Sequence, residues 1–260
     1  MNTMPGSDHH TTYSAALVTG AAQRLGREMS LGLARRGVDI ALHYNSNAQA
    51  AEQTAHDIRA FGVKCVTLHA DLLDPDQTGA LVQRARDGLG KDLDILINCA
   101  SIFKYDSIKS ATQDSWDMNI DSNLRAPFVL TQDFARQAPA ATRQSDGEML
   151  ARACVINMVD QRVKKLTSEY MTYTIGKMGL WAFTQTSARA LGPDIRVNGI
   201  GPGSTLQGAE QSDAQFAEHR RGSPLQRGAN AQDIVQAMNF LLDARAFTGQ
   251  LLCIDGGQHL

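Results

Sequence analysis

Tyr173 and Lys177 stand four residues apart, and Asp160 precedes Tyr173 by thirteen positions, just after the apolar run Cys154 to Val159. Residues four apart share one face of a helix, so an ammonium at the second position adjoins a phenol at the first. A neighbouring cation stabilises the phenolate, lowers the tyrosine pKa from about 10 toward the working pH, and makes the phenol a proton donor. Taken alone, this pair more often describes one more exposed helical contact. Its meaning depends on the elements that position it.

Those elements alternate. Short β-rich runs occur at Ala16 to Thr19, Asp39 to Tyr44, Lys64 to Ala70, Asp94 to Asn98, Cys154 to Met158, Arg196 to Ile200 and Leu251 to Ile254. Helix-like stretches lie between them near 24–36, 47–60, 75–89, 112–137, 170–191 and 230–243. This rhythm predicts an α/β fold, a doubly wound parallel sheet of about seven strands with helices on both faces, and a site at the carboxyl ends of the strands. Residues 1–13 are polar and aperiodic and read as a tail, leaving 14–260 as a single domain. Residues 139–151 read as a surface excursion. Residues 203–224 read as a longer substrate loop with a short helix around Ala214 to Arg221.

Composition narrows the function classes. The chain has 260 residues, a formal charge of −2 and a pI near 6.4, with no basic footprint for nucleic acid. No apolar stretch approaches the roughly 20 residues that span a bilayer, and no signal-peptide pattern opens the chain, so a cytoplasmic protein is expected. Cys65, Cys99, Cys154 and Cys253 are isolated and read as small hydrophobes rather than disulfide partners or metal ligands.

The first strand runs into Thr19 and Gly20, then Ala21, Ala22, Gln23, Arg24, Leu25 and Gly26. A turn of small residues before a helix lets backbone N–H groups approach a pyrophosphate, with Gly20 and Gly26 at the expected close approaches. The second strand ends at His43, Tyr44, Asn45 and Ser46, and no acid follows until Glu52. A carboxylate there would hold an NAD ribose and repel a 2′-phosphate, so its absence favours NADP(H), with Asn45, Ser46 and Arg24 as candidate phosphate contacts. Asn45 or Ser46 could instead cap the next helix.

From Leu17 to Leu260 these residues resemble the short-chain dehydrogenase/reductase family. TGAAQRLG is similar to its cofactor loop with Arg24 in place of the middle glycine. Asp71 with Leu72 resembles the pair that holds adenine, and Asn98, Cys99, Ala100 resembles the motif closing the fourth strand. Asn123 resembles the asparagine that completes the proton relay through a water. Tyr173 to Lys177 matches the YxxxK motif, Pro202 with Gly203 and Ser204 the segment beyond the sixth strand, and Ile254 to Gly257 the closing IDGG.

Within the family the details look most like the pteridine reductases, in the arginine at 24, the His43–Tyr44 pair, Asn98, Ala100, Ser101 and Phe103, and Asn157 to Asp160. Most members carry serine where Asp160 stands; an acid there can donate to or pair with the amidine-like nitrogens of a pterin. The resemblance implies that Phe103 stacks on the substrate ring, that Arg24 and Ser101 hold cofactor phosphates and ring substituents, and that Lys177 binds the nicotinamide ribose. Tyr170 lacks a lysine four residues on and is not the acid. The chain departs from those reductases at Asn45 and Ser46, where they carry a basic residue, and at Lys104 and Tyr105 beside the stacking position.

The expected activity is NADPH-dependent hydride transfer to the C=N bond of a dihydropterin or dihydrofolate, with Tyr173 or Asp160 giving the proton. A general carbonyl or 3-oxoacyl reductase is the alternative within the family. A non-catalytic NADP-binding regulator is the alternative from another class, and intact Asn123, Tyr173 and Lys177 argue against it. The family commonly forms homotetramers through helices near 112–137 and 170–191, where Leu180, Trp181 and Phe183 fit an interface or a core. No metal is expected.

Overall fold

The computed structural model describes residues 13–207 and 212–260; residues 1–12 and the centre of the substrate loop lie outside the described residues. Strand β1 (Ala15–Val18) shows how the layers form: Ala15 and Leu17 point into one cluster of buried side chains, Ala16 and Val18 into another. A strand buried on both faces is continuously apolar, as in parallel sheets flanked by helices.

Strands β2 (Asp39–Tyr44), β3 (Cys65–His69), β4 (Ile95–Asn98), β7 (Ala153–Met158), β8 (Ile195–Pro202) and β9 (Leu251–Ile254) join β1 in a parallel sheet of order β3-β2-β1-β4-β7-β8-β9. Helices α1 (Arg24–Ala34), α2 (Ala48–Arg59) and α8 (Ala231–Asp243) bury Met29, Leu33, Ile58 and Met238 against one face. Helices α3 (Pro75–Leu89), α5 (Ala126–Gln137) and α6 (Met171–Leu191) bury Leu81, Leu130, Phe134 and Ala188 against the other. The doubly wound expectation holds, and the order reverses between β1 and β4, where such sheets open a ligand crevice.

Four details correct or add to the sequence reading. Tyr13, placed there with the tail, is buried; its hydroxyl accepts from the buried Arg196 guanidinium, which also donates to the Leu241, Leu242 and Phe247 carbonyls. The stretch 112–137 is not one regular helix: α4 (Gln113–Ile120) passes through a π-helical turn at Asp121–Arg125 before α5. The excursion at 139–151 holds a small antiparallel pair, β5 (Thr142–Arg143) and β6 (Met149–Leu150). Leu180 is fully buried with Val159 and Val163, which makes it core. In the substrate loop, α7 (Asp213–Arg221) begins at a Ser212 capping box.

Candidate active site

The loop between β1 and α1 is built around Gly20, which sits at φ +64°, a left-handed conformation that a side chain disfavours. A Cβ at Gly20 would lie 2.9 Å from the Ala100 Cα, and one at Gly26 only 2.3 Å from the Gly20 carbonyl oxygen. These two positions therefore admit glycine because the loop, helix and β4 end are in contact. Thr19 Oγ1 binds β4 to the same turn, accepting the Cys99 and Ala100 N–H groups at 2.9 and 3.0 Å.

His43 is buried and braces the loop between β1 and α1. Nδ1 accepts the Gly20 N–H at 3.1 Å and Nε2 lies 3.0 Å from the Ala70 carbonyl, so the proton sits on Nε2. Burial lowers its pKa to about 4, keeping the ring neutral and able to accept. Leu72 and Asn98 are likewise buried, the latter donating to Asn157 Oδ1 at 2.8 Å. Leu25 packs partly into the core.

The start of α1 fits an anion. No side chain caps it and its first turn holds no acid, whereas Asn47, Asp74, Thr112, Ser212 and Asn230 cap five other helices. Unfilled N–H groups and the helix dipole there suit a dinucleotide pyrophosphate. Asn45 and Ser46 are exposed at the end of β2, and Asn47 rather than either of them caps α2. Asp71, at the β3 end, caps its own turn through the Leu73 N–H. Pro202 ends β8; Gly203 N–H bonds the Ile254 carbonyl, and Ser204 bonds Gln258 Oε1.

Arg24 occupies the middle-glycine position at φ +53°. Its guanidinium donates to the Gln207 and Leu206 carbonyls at 3.0 and 3.3 Å, tying the β1–α1 loop to the segment that follows β8. In this state Arg24 acts as a clasp. A strained backbone angle held by such contacts is common at functional sites.

Asp160, Tyr173 and Lys177 converge where the end of β7 meets α6. Tyr173 Oη donates to Asp160 Oδ2 at 2.8 Å, and Asp160 Oδ1 accepts the Arg162 N–H at 2.7 Å. Asp160 is therefore both a turn cap and the partner of the phenol. Lys177 is 2 % exposed and donates to the Met158 carbonyl at 2.7 Å, with its Nζ 5.6 Å from the Tyr173 ring centre.

The electrostatics reverse one expectation. Burial, reinforced by the Asp160 charge, holds the Tyr173 pKa well above the ordinary phenol value; Lys177 does not lower it in this state. Burial also raises the Asp160 carboxyl and pushes the Lys177 ammonium down to about 8. A phenol that stays protonated can donate but not act as a base at neutral pH.

Asn123 lies on the π-helical turn and is fully buried. Its amide donates to the Ile102 and Asn119 carbonyls at 2.9 Å, and its Oδ1 accepts from Ser101 Oγ at 2.6 Å. Ser101 thereby joins the loop after β4 to the π-helical turn. Phe103 is 52 % exposed, which excludes a packed core role; its ring stacks on Tyr170 at 4.2 Å and meets Tyr173 edge-on at 4.7 Å.

Three residues escaped the sequence reading. Tyr170, set aside as an acid, is a stacking partner with φ +53°. Arg162 places its guanidinium 4.8 Å from the Tyr170 ring centre. Buried Asp106 accepts the Thr172 N–H at 3.1 Å and the Ser115 hydroxyl at 3.1 Å, supplying the cap that α6 lacks locally. The absence of a capping residue at position 170 was the available signal for Asp106.

Known proteins match this architecture. The enoyl-(acyl carrier protein) reductase family model matches residues 20–259. FolM alternative dihydrofolate reductase 1 from Brucella canis, solved with NADP, is 33% identical with TM-score 0.87, covering 96% of this chain and 95% of that one. A short-chain dehydrogenase from Burkholderia cenocepacia with NADP is 29% identical with TM-score 0.85, covering 96% and 99%. The 3-oxoacyl-[acyl-carrier-protein] reductase FabG of Staphylococcus aureus is 29% identical over 95% of this chain and 98% of its own. The sheet order, the glycine turn and the Tyr173–Lys177 helix agree with these likenesses: the chain belongs to the short-chain dehydrogenase/reductase family of oxidoreductases.

Proposed function

We propose that the protein is an NADPH-dependent reductase of the C=N bond of a dihydropterin or dihydrofolate. The observation that carries this reading is the Asp160 carboxyl bonded to Tyr173 at 2.8 Å, with the exposed Phe103 ring edge-on to Tyr173 at 4.7 Å. A carboxylate accepts two adjacent N–H donors of a pterin edge, and an aromatic shelf stacks on its flat ring. NADPH supplies the hydride when bound. Lys177 is poised to hold the nicotinamide ribose, the uncapped start of α1 the pyrophosphate, and Asn45 and Ser46 the 2′-phosphate. Tyr173 donates the proton, with Asp160 orienting its hydroxyl.

The likeness to the FolM reductase solved with NADP supports both the cofactor and the substrate class. A second reading, carbonyl or 3-oxoacyl reduction, is favoured by the likeness to the Staphylococcus aureus enzyme. NADPH oxidation with dihydrofolate and dihydrobiopterin, set against acetoacetyl thioesters and simple ketones, decides between them; faster turnover of the thioester overturns the pterin reading. We also infer a homotetramer, because Phe128, Ile175 and Met178 expose apolar surface on α5 and α6. Light scattering on a sizing column tests it.

A further inference from the structure

The aromatic shelf extends past the reacting groups and ends at a cation. Phe103, 52 % exposed, is covered on one side by Tyr170, and Tyr105, 58 % exposed, meets Tyr170 edge-on at 5.3 Å. The Arg162 guanidinium carbon lies 4.8 Å from the Tyr170 centre and 5.9 Å from that of Phe103. With the two rings 4.2 Å apart, these distances put Arg162 beside the pair rather than at the end of the stack.

Arg162 is charged and incompletely satisfied. Nη1 donates to Thr167 Oγ1 at 2.9 Å, while Nε and Nη2 meet no acceptor among the described residues. No carboxylate there pairs with it; the nearby acid, Asp160, is committed to Tyr173 and to the Arg162 backbone N–H. Lys104, on the same rim, also lacks an acidic partner and rests on Met118 Sδ. A half-buried guanidinium beside aromatic rings presents a planar donor fork in a region of reduced dielectric, the arrangement that recognises carboxylates.

We propose that Arg162 forms an outer anion subsite that takes a carboxylate on the tail of the ring substrate. It sets a preference for substrates with an aryl linker and acidic tail, the folate class, over pterins with uncharged side chains. The linker lies along Phe103 and Tyr170. This inference deepens the reductase reading and rests on it for the identity of the ring.

The test uses the full chain and two probes, 4-aminobenzoyl-glutamate and its dimethyl ester, titrated calorimetrically into the wild type, Arg162→Met and Arg162→Lys. The diacid is expected to bind the wild type about tenfold tighter than the ester, with the preference lost in Arg162→Met and partly restored in Arg162→Lys. In turnover, Arg162→Met should raise the KM for dihydrofolate about tenfold and leave kcat and the dihydrobiopterin KM within about twofold. Equal binding of the two probes, a preference that survives Arg162→Met, or equal KM rises for both substrates overturns the proposal. A wild type that prefers the diacid yet reduces neither substrate supports the subsite and overturns the reductase reading instead.

Discussion

The Tyr173 hydroxyl and the Asp160 carboxylate share one hydrogen bond of 2.8 Å in a site from which both are largely withdrawn from water. Burial raises both groups' pKa values, so the pair retains protons to higher pH than either residue would in solvent. The carboxylate that accepts the Tyr173 hydroxyl and the pterin N–H groups is then the form present on the alkaline side. kcat/KM with a dihydropterin should rise as pH rises through the raised carboxyl pKa, and Asp160→Asn should flatten that rise. A pH–rate profile at saturating NADPH checks this; an unchanged profile in the variant removes Asp160 from the proton path.

Tyr173→Phe deletes the donor while keeping the ring against Phe103. Turnover should drop by about 10²–10⁴, with NADPH affinity within about twofold by fluorescence titration. Retained turnover would transfer the donor role to Asp160.

Lys177 gives a stability prediction whose sign follows from its lowered pKa. The unfolded chain holds this proton up to about 10.5 and the folded chain only to about 8, so the unfolded state binds more protons between those values and stability from this group rises with pH there. The gain between pH 7.5 and 9.5 is on the order of 2 kcal/mol. Urea midpoints at the two pH values should show that rise in the wild type and its loss in Lys177→Met.

Arg24→Gly removes the clasp and the left-handed strain together. Relief of φ +53° stabilises the backbone by roughly 1 kcal/mol, whereas loss of the bonds to Leu206 and Gln207 frees the substrate loop. Hydrogen exchange at 205–207 should quicken and the substrate KM rise while Tm stays level or increases. Unaltered exchange would show that the loop is held from elsewhere.

The sheet, its helices and the grouping of Tyr173 with Lys177 were legible because each rests on local pattern: apolar runs for strands, four-residue spacing for Tyr173 and Lys177, glycine at Gly20. The direction of the Tyr173 pKa was not, since it depends on how much water the fold removes, and spacing says nothing of burial. That His43 accepts the Gly20 N–H and Asn98 donates to Asn157 was not legible either, because both contacts depend on which strands lie side by side. Asp106 and Arg162 reach their partners Thr172 and Tyr170 through the folded loop ends, a closeness with no periodic signature.

The π-helical turn at Asp121–Arg125 accommodates one residue more than an α-helical path would need. Removing a single residue there would turn every later position of α5 by about 100° relative to α4. Phe134 and Leu130 would swing off the sheet, or Asn123 would lose Ser101 and Ile102, because both cannot be kept with a regular helix between them. Surface loops generally absorb changes of length, and this turn, with Ser122 and Asn123 buried, is expected not to. A deletion scan across 113–137 should find its sharpest loss of folded protein at 121–125, marking a place where chain length itself, rather than any side chain, is under constraint.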